Sequence, residues 1–139
     1  MAYRATNRCG RSGDCQAASY VADFRKLRVW QAAQILAIDA YRVSGRIRDT
    51  NTVSLSDQLT RAAMSVPANI IEGSAHTSPR EFARFVQYAL ASVSELEGHV
   101  QLARDLEFIS DQDHTTLLNG IVDVRKMLYG LLKSLRARG

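Results

Sequence analysis

Arg61-Ala62-Ala63-Met64-Ser65-Val66-Pro67-Ala68-Asn69-Ile70-Ile71-Glu72-Gly73 places a proline in the middle of a helical pattern. Leu55, Leu59, Ala62, Val66 and Ile70 recur at spacings of 4, 3, 4 and 4, so one apolar helix face runs through Pro67 without interruption. The periodicity predicts a helix from about Ser56 to Glu72 that Pro67 kinks instead of ending, with Gly73 as its C-terminal stop. Proline has no N–H, which frees the carbonyl of Ala63 and costs roughly 3 kcal/mol in an ordinary helix interior. Arg61, Ser65, Asn69 and Glu72 lie on a polar stripe beside the apolar one. The Ser65 hydroxyl is a candidate to bond back to the freed carbonyls. Ser65, Pro67, Asn69 and Glu72 thus read as a structural motif that repairs the kink and bonds across the core. A polar binding site is the sharper alternative.

The same periodicity continues on both sides. Val29, Ala33, Leu36, Ala40 and Val43 predict a helix over about 26–44, and a polar loop follows from Gly45 to Ser54. Ser78-Pro79-Arg80-Glu81 is a capping box with proline at the first helical position. The helix it opens extends its apolar face from Phe82 to about Leu106, roughly 42 Å at 1.5 Å per residue. Ser110 with Asp111 and Asp113 caps a last helix that runs to about Arg136. Its apolar positions are Leu117, Ile121, Val124, Leu128, Leu131 and Leu135. Leu118, Val122, Tyr129 and Leu132 form a second stripe, read either as a wide core face or as part of a subunit interface. The expected fold is an all-α, antiparallel up-and-down four-helix bundle over 23–139.

Residues 1–22 carry no apolar periodicity and collect Arg4, Arg8 and Arg11 with glycine and small polar residues. They read as a solvated, flexible tail, or alternatively as a basic arm that orders on nucleic acid. Cys9 and Cys15, with five residues between them, match no zinc spacing and read as free thiols. The apolar runs are short and broken by charge, so neither a membrane span nor a signal peptide is expected, and the chain is placed in the cytoplasm.

No Gly-rich phosphate loop, HExxH or nucleophile-elbow serine occurs. Asp111 with His114 and Glu95 with His99 are single pairs, short of the paired Glu-x-x-His pattern of metal-binding bundles. The reading is therefore non-enzymatic, with no metal and no cofactor. Trp30, Tyr41, Phe82, Phe85, Tyr88 and Tyr129 read as core or interface packing before stacking platforms for bases.

Charge is the remaining signal. Fifteen of the eighteen basic residues are arginine, and the net charge is +4. In an up-and-down bundle one end gathers Arg25, Lys26, Arg28, Arg80, Arg84, Lys133, Arg136 and Arg138 against Asp23, Glu72 and Glu81. The other end gathers Arg42, Arg46, Arg48 and Arg104 against six carboxylates, so the molecule is expected to be electrically polarised. Helix C-termini account for Lys133, Arg136 and Arg138, but Arg80 and Arg84 sit in the first turns of a helix, where the dipole disfavours cations. Glu81, Glu72 or an anionic partner is their expected reason.

Three segments carry a resemblance: Phe24 to Gln31, Ser65 to Gly73 with Ser78 and Glu81-Phe82, and Ser92 to Glu97. Through them the chain from Phe24 to Leu135 resembles the bacterial four-helix-bundle family of 23S ribosomal RNA intervening-sequence proteins, to which accessory proteins of diversity-generating retroelements are also similar. The resemblance implies a left-handed bundle assembled as a cyclic homopentamer, without known catalytic residues. Between Gly73 and Ser78, where relatives often carry adjacent arginines, this chain has Ser74, Ala75, His76 and Thr77. The expected function is nucleic-acid binding, structured RNA above all, with Arg25, Arg28, Arg80, Arg84, Lys133 and Arg136 as the contacting residues. A protein-interaction scaffold that presents the ring to a protein partner is the alternative.

Overall fold

The structure is a computed structural model that describes residues 23–47 and 53–139. The tail at 1–22, with both cysteines, and part of the expected Gly45–Ser54 loop lie outside the described residues. A single 3-10 turn, Phe24–Lys26, leads into α1 (Arg28–Ser44), followed by α2 (Val53–Ser74), α3 (Pro79–Asp105) and α4 (Asp111–Arg138). There is no strand among the described residues.

Each helix packs on two neighbours, α1 on α2 and α4, α3 on α2 and α4, and the two diagonal pairs do not meet. That closed pattern is a four-helix bundle with one contiguous core. Leu36 of α1, Leu59, Val66 and Ile70 of α2, Val86, Val93 and Leu96 of α3, and Leu117, Ile121 and Leu128 of α4 are almost wholly buried in it. Each such aliphatic side chain contributes about 1.5–3 kcal/mol of burial. The bundle is thus held by the apolar faces that periodicity assigned.

Local chemistry sets the helix ends. Ser78 caps α3 by accepting from the Glu81 amide at 3.4 Å, with Pro79 in the first turn, and Ser110 caps α4 by accepting from the Asp113 amide at 3.0 Å. After α3, Glu107 adopts φ 61° while the Phe108 amide donates to the Ala103 carbonyl and the Glu107 amide to the Arg104 carbonyl. This is the Schellman closure, with glutamate where glycine is the unstrained choice.

Four readings need correction. Gly73 does not stop α2: the helix continues to Ser74 and Gly73 is buried beneath α3. A Cβ there would lie 2.6 Å from Phe82 Cδ2 and 2.8 Å from Phe85 Cβ, so the glycine is a site of close helix approach. The start of α2 is earlier than expected, at Val53 instead of Ser56. On α4 the core stripe passes to Leu132, which is buried, and leaves Leu131 half-buried. A straight helix of 3.6 residues per turn drifts off a 3.5-residue repeat over this length. Finally, the polar motif on α2 does not bond across the bundle. Ser65 Oγ donates to the Ala62 carbonyl at 2.9 Å, not to the freed Ala63 carbonyl, and Asn69 Nδ2 donates to the Ser65 carbonyl at 2.8 Å. Both bonds stay within α2, Glu72 is exposed, and the helix runs through a buried Pro67.

Candidate nucleic-acid interface

The segment leading into α1, the end of α2, the start of α3 and the last turns of α4 meet at one end of the bundle, where they line a common cavity. All six expected contact residues are exposed, and the structure divides them into two sets. Arg80 and Arg84 from α3 and Arg136 from α4 line one groove with Glu81, Ala83, Gln87, Leu135 and Gly139. Arg25, Arg28 and Lys133 belong to the same end but do not reach that groove. Arg25 instead pairs with Asp23 at 3.5 Å and lies 4.9 Å over the Phe24 ring.

Arg84 is the best anchored of the cations. Its Nε donates to the Tyr88 hydroxyl at 2.8 Å, its guanidinium sits 5.6 Å over the Tyr88 ring, and Glu81 lies 3.6 Å away, one helical turn back. The Tyr88 hydrogen bond, then the charge interactions with Tyr88 and Glu81, raise its pKa above the ordinary arginine value. Tyr88 and, behind it, Glu81 are therefore the partners that hold Arg84 in an unfavourable helix turn. Arg80, Lys133 and Arg136, with Lys26, Arg28 and Arg138, form no ion pair among the described residues. Exposed guanidiniums without an ion pair, such as those of Arg80 and Arg136, are suited to phosphate oxygens, which can accept two parallel N–H bonds from each.

The opposite end uses its arginines differently. Arg46 donates to Asp113 at 2.6 Å, clasping the end of α1 to the start of α4, and Arg104 lies 3.2 Å from Asp111 and 3.4 Å from His114 Nδ1. Glu95 and His99 contact each other at 3.3 Å and make no other side-chain hydrogen bond or ion pair among the described residues. Between the ends, Arg125 of α4 is ion-paired with Glu97 of α3.

Two features escaped sequence reading. One is the cavity at the basic end, lined by residues from four separate segments, which no local pattern announces. The other is an apolar groove of about 460 Å3 between α1 and α2, lined by Ile38, Tyr41, Met64, Pro67, Ala68 and Ile71 among others. Tyr41 is 67% exposed and Met64 56% exposed. Their spacing on each helix was visible, but their apposition depends on how α1 and α2 pack. Of the expected packing aromatics, Phe82 is buried and Trp30 lies against the core, whereas Tyr41, Tyr88 and Tyr129 are exposed.

These features define a small helical-bundle protein with exposed cations gathered at one end and an apolar groove on its side. The family model described as 23S rRNA-intervening sequence protein matches residues 25–130, and the chain belongs to that family. A crystal structure of a protein with unknown function from the S23 ribosomal protein family of Bacteroides thetaiotaomicron VPI-5482 has the same fold. It is similar to this chain with a TM-score of 0.71 and 22% identity, over 76% of this chain and 98% of that one. No curated protein matches the chain. No helix among the described residues is long and apolar enough to cross a membrane.

Proposed function

We propose that this chain is a non-enzymatic, oligomeric bundle protein that binds nucleic acid, structured RNA above all, through its basic end. The observation that carries the reading is the convergence of Arg80, Arg84 and Arg136 on one groove, where Glu81 pairs with Arg84 and Arg80 and Arg136 form no ion pair among the described residues. Contacts of this kind go to phosphates and carry little base specificity. Arg25, Arg28 and Lys133 add exposed cations to the same end. The family description, which names 23S rRNA, makes ribosomal RNA the first target to test.

In this reading the helices alternate up and down, the bundle is left-handed, and five copies close into a ring. The α1–α2 groove supports self-association, because a soluble chain that keeps Ile38, Tyr41, Met64 and Ile71 exposed gains by covering them. Cyclic symmetry would then repeat the basic end around one axis. The protein is cytoplasmic and needs no metal or cofactor in this role. The same groove favours a second reading, a scaffold for a protein partner with no intrinsic affinity for nucleic acid.

Titration of the full chain with labelled 23S ribosomal RNA fragments at several salt concentrations separates the two. Binding that weakens steeply as salt rises supports phosphate contacts. A partner captured from lysate after nuclease treatment, with no RNA affinity in the purified protein, supports the scaffold.

A further inference from the structure

The cavity at the basic end has a volume of about 460 Å3 and a graded lining. Leu27, Phe82, Leu131 and Leu135 give it apolar walls, and Thr77, Ser78 and Ser134 bring hydroxyl groups to it. Lys26 and Arg138 stand at it as cations without an ion pair among the described residues, and the one carboxylate in its lining, Asp23, is paired with Arg25. The Ser78 hydroxyl is occupied by the Glu81 amide, whereas those of Thr77 and Ser134 make no hydrogen bond among the described residues.

An apolar wall beside free hydroxyls and two cations suits a ligand with a flat, weakly polar body and an attached anion. A nucleotide has that chemistry, and the volume falls in the range of about 300–1,000 Å3 typical of small-molecule sites. The cavity also adjoins the arginine groove, since Leu135 lines both. A strand whose phosphates lie on Arg80, Arg84 and Arg136 therefore has a pocket next to it.

We propose that this cavity receives a single unpaired nucleotide, its base against Phe82, Leu131 and Leu135 and its phosphate at Lys26 and Arg138. The inference rests on the RNA-binding reading and narrows it. Extruding a base from a duplex costs a few kcal/mol, and least where the base is already unpaired. Proteins that read RNA through splayed bases accordingly prefer bulges and loops to continuous duplex. The ligand is either a nucleotide within a strand or a free nucleotide, which share this chemistry.

The test uses the full chain and two hairpins of equal length, one fully paired and one with a single bulged nucleotide. The bulged hairpin should bind about tenfold more tightly, given that stacking of a base contributes about 1–3 kcal/mol. Ser134→Phe, made at an exposed position on α4 so that the fold is retained, should fill the cavity and abolish that preference. Equal affinities for the two hairpins, or a preference that survives Ser134→Phe, would overturn the strand-bound nucleotide while leaving phosphate binding intact. Failure of both hairpins to bind would instead remove the RNA reading. A parallel NMR titration with UMP then probes the cavity by itself. Amide shifts confined to Thr77, Ser78 and Ser134 would establish a free-nucleotide site, and no such shifts together with equal hairpin affinities would overturn the inference entirely.

Discussion

The two ends of this bundle are built from the same residue types and put them to opposite uses. At the end formed by the last turns of α1 and α3 and the start of α4, Arg46 and Arg104 are bound to Asp113 and Asp111, and Arg42 alone of the described arginines there forms no ion pair among the described residues. At the other end Arg80, Lys133, Arg136 and Arg138 have no carboxylate partner among the described residues, while Arg84 is held by Glu81 and the Tyr88 hydroxyl and Arg25 by Asp23. Cations tied across helix ends close a fold, whereas exposed cations without a carboxylate partner stay available to an anion. The difference lies in pairing, which a count of charges does not show.

The sharpest structural test falls on Gly73, which lets α3 approach α2 closely enough to seat the helix that carries Arg80 and Arg84. Gly73→Ala should destabilise the protein by about 1–3 kcal/mol, as overpacking does, because its Cβ would collide with Phe82 and Phe85. Urea unfolding measures this, and Gly98→Ala is the control. Nothing lies within 4 Å of a Cβ at Gly98, so that change should be neutral or stabilise by up to about 1 kcal/mol. If both variants behave alike, close packing beneath Phe82 does not shape the basic end.

At the opposite end, Glu107→Gly should stabilise by up to about 1 kcal/mol. It relieves a left-handed backbone position at the close of α3. A smaller effect is expected from Asp113→Ala. Loss of the Arg46 pair, which is largely exposed to solvent, should cost about 0.2–1 kcal/mol, and the difference should shrink at high salt. A salt-independent loss would mean that Asp113 acts chiefly through its place in the first turn of α4.

Much of this architecture is legible in the sequence. The caps at Ser78 and Ser110 and the apolar faces of all four helices follow from local spacing, and the polarised ends follow from helix order. What was illegible depends on contacts between segments distant in the chain. Gly73 has the local signature of a helix stop, and only the approach of Phe82 and Phe85 reveals its other use. Leu131 fits a strict heptad better than Leu132, and the drift of a straight 28-residue helix reverses the choice. The Ser65–Asn69 motif resembles a repair of the proline gap. Its bonds go to other carbonyls, because each side chain reaches the carbonyl three or four residues back. The groove of Arg80, Arg84 and Arg136 required α3 and α4 to be placed side by side.

The central claim is that the basic end, and not overall charge, binds nucleic acid. Its most direct test compares the salt dependence of ribosomal RNA binding for Arg80→Glu/Arg84→Glu and for Arg42→Glu/Arg46→Glu, which change net charge equally at opposite ends. The account predicts that the first variant loses affinity and flattens the slope of log K against log salt by about 2, while the second stays close to the parent. Equal losses in the two variants, or none in the first, would contradict it.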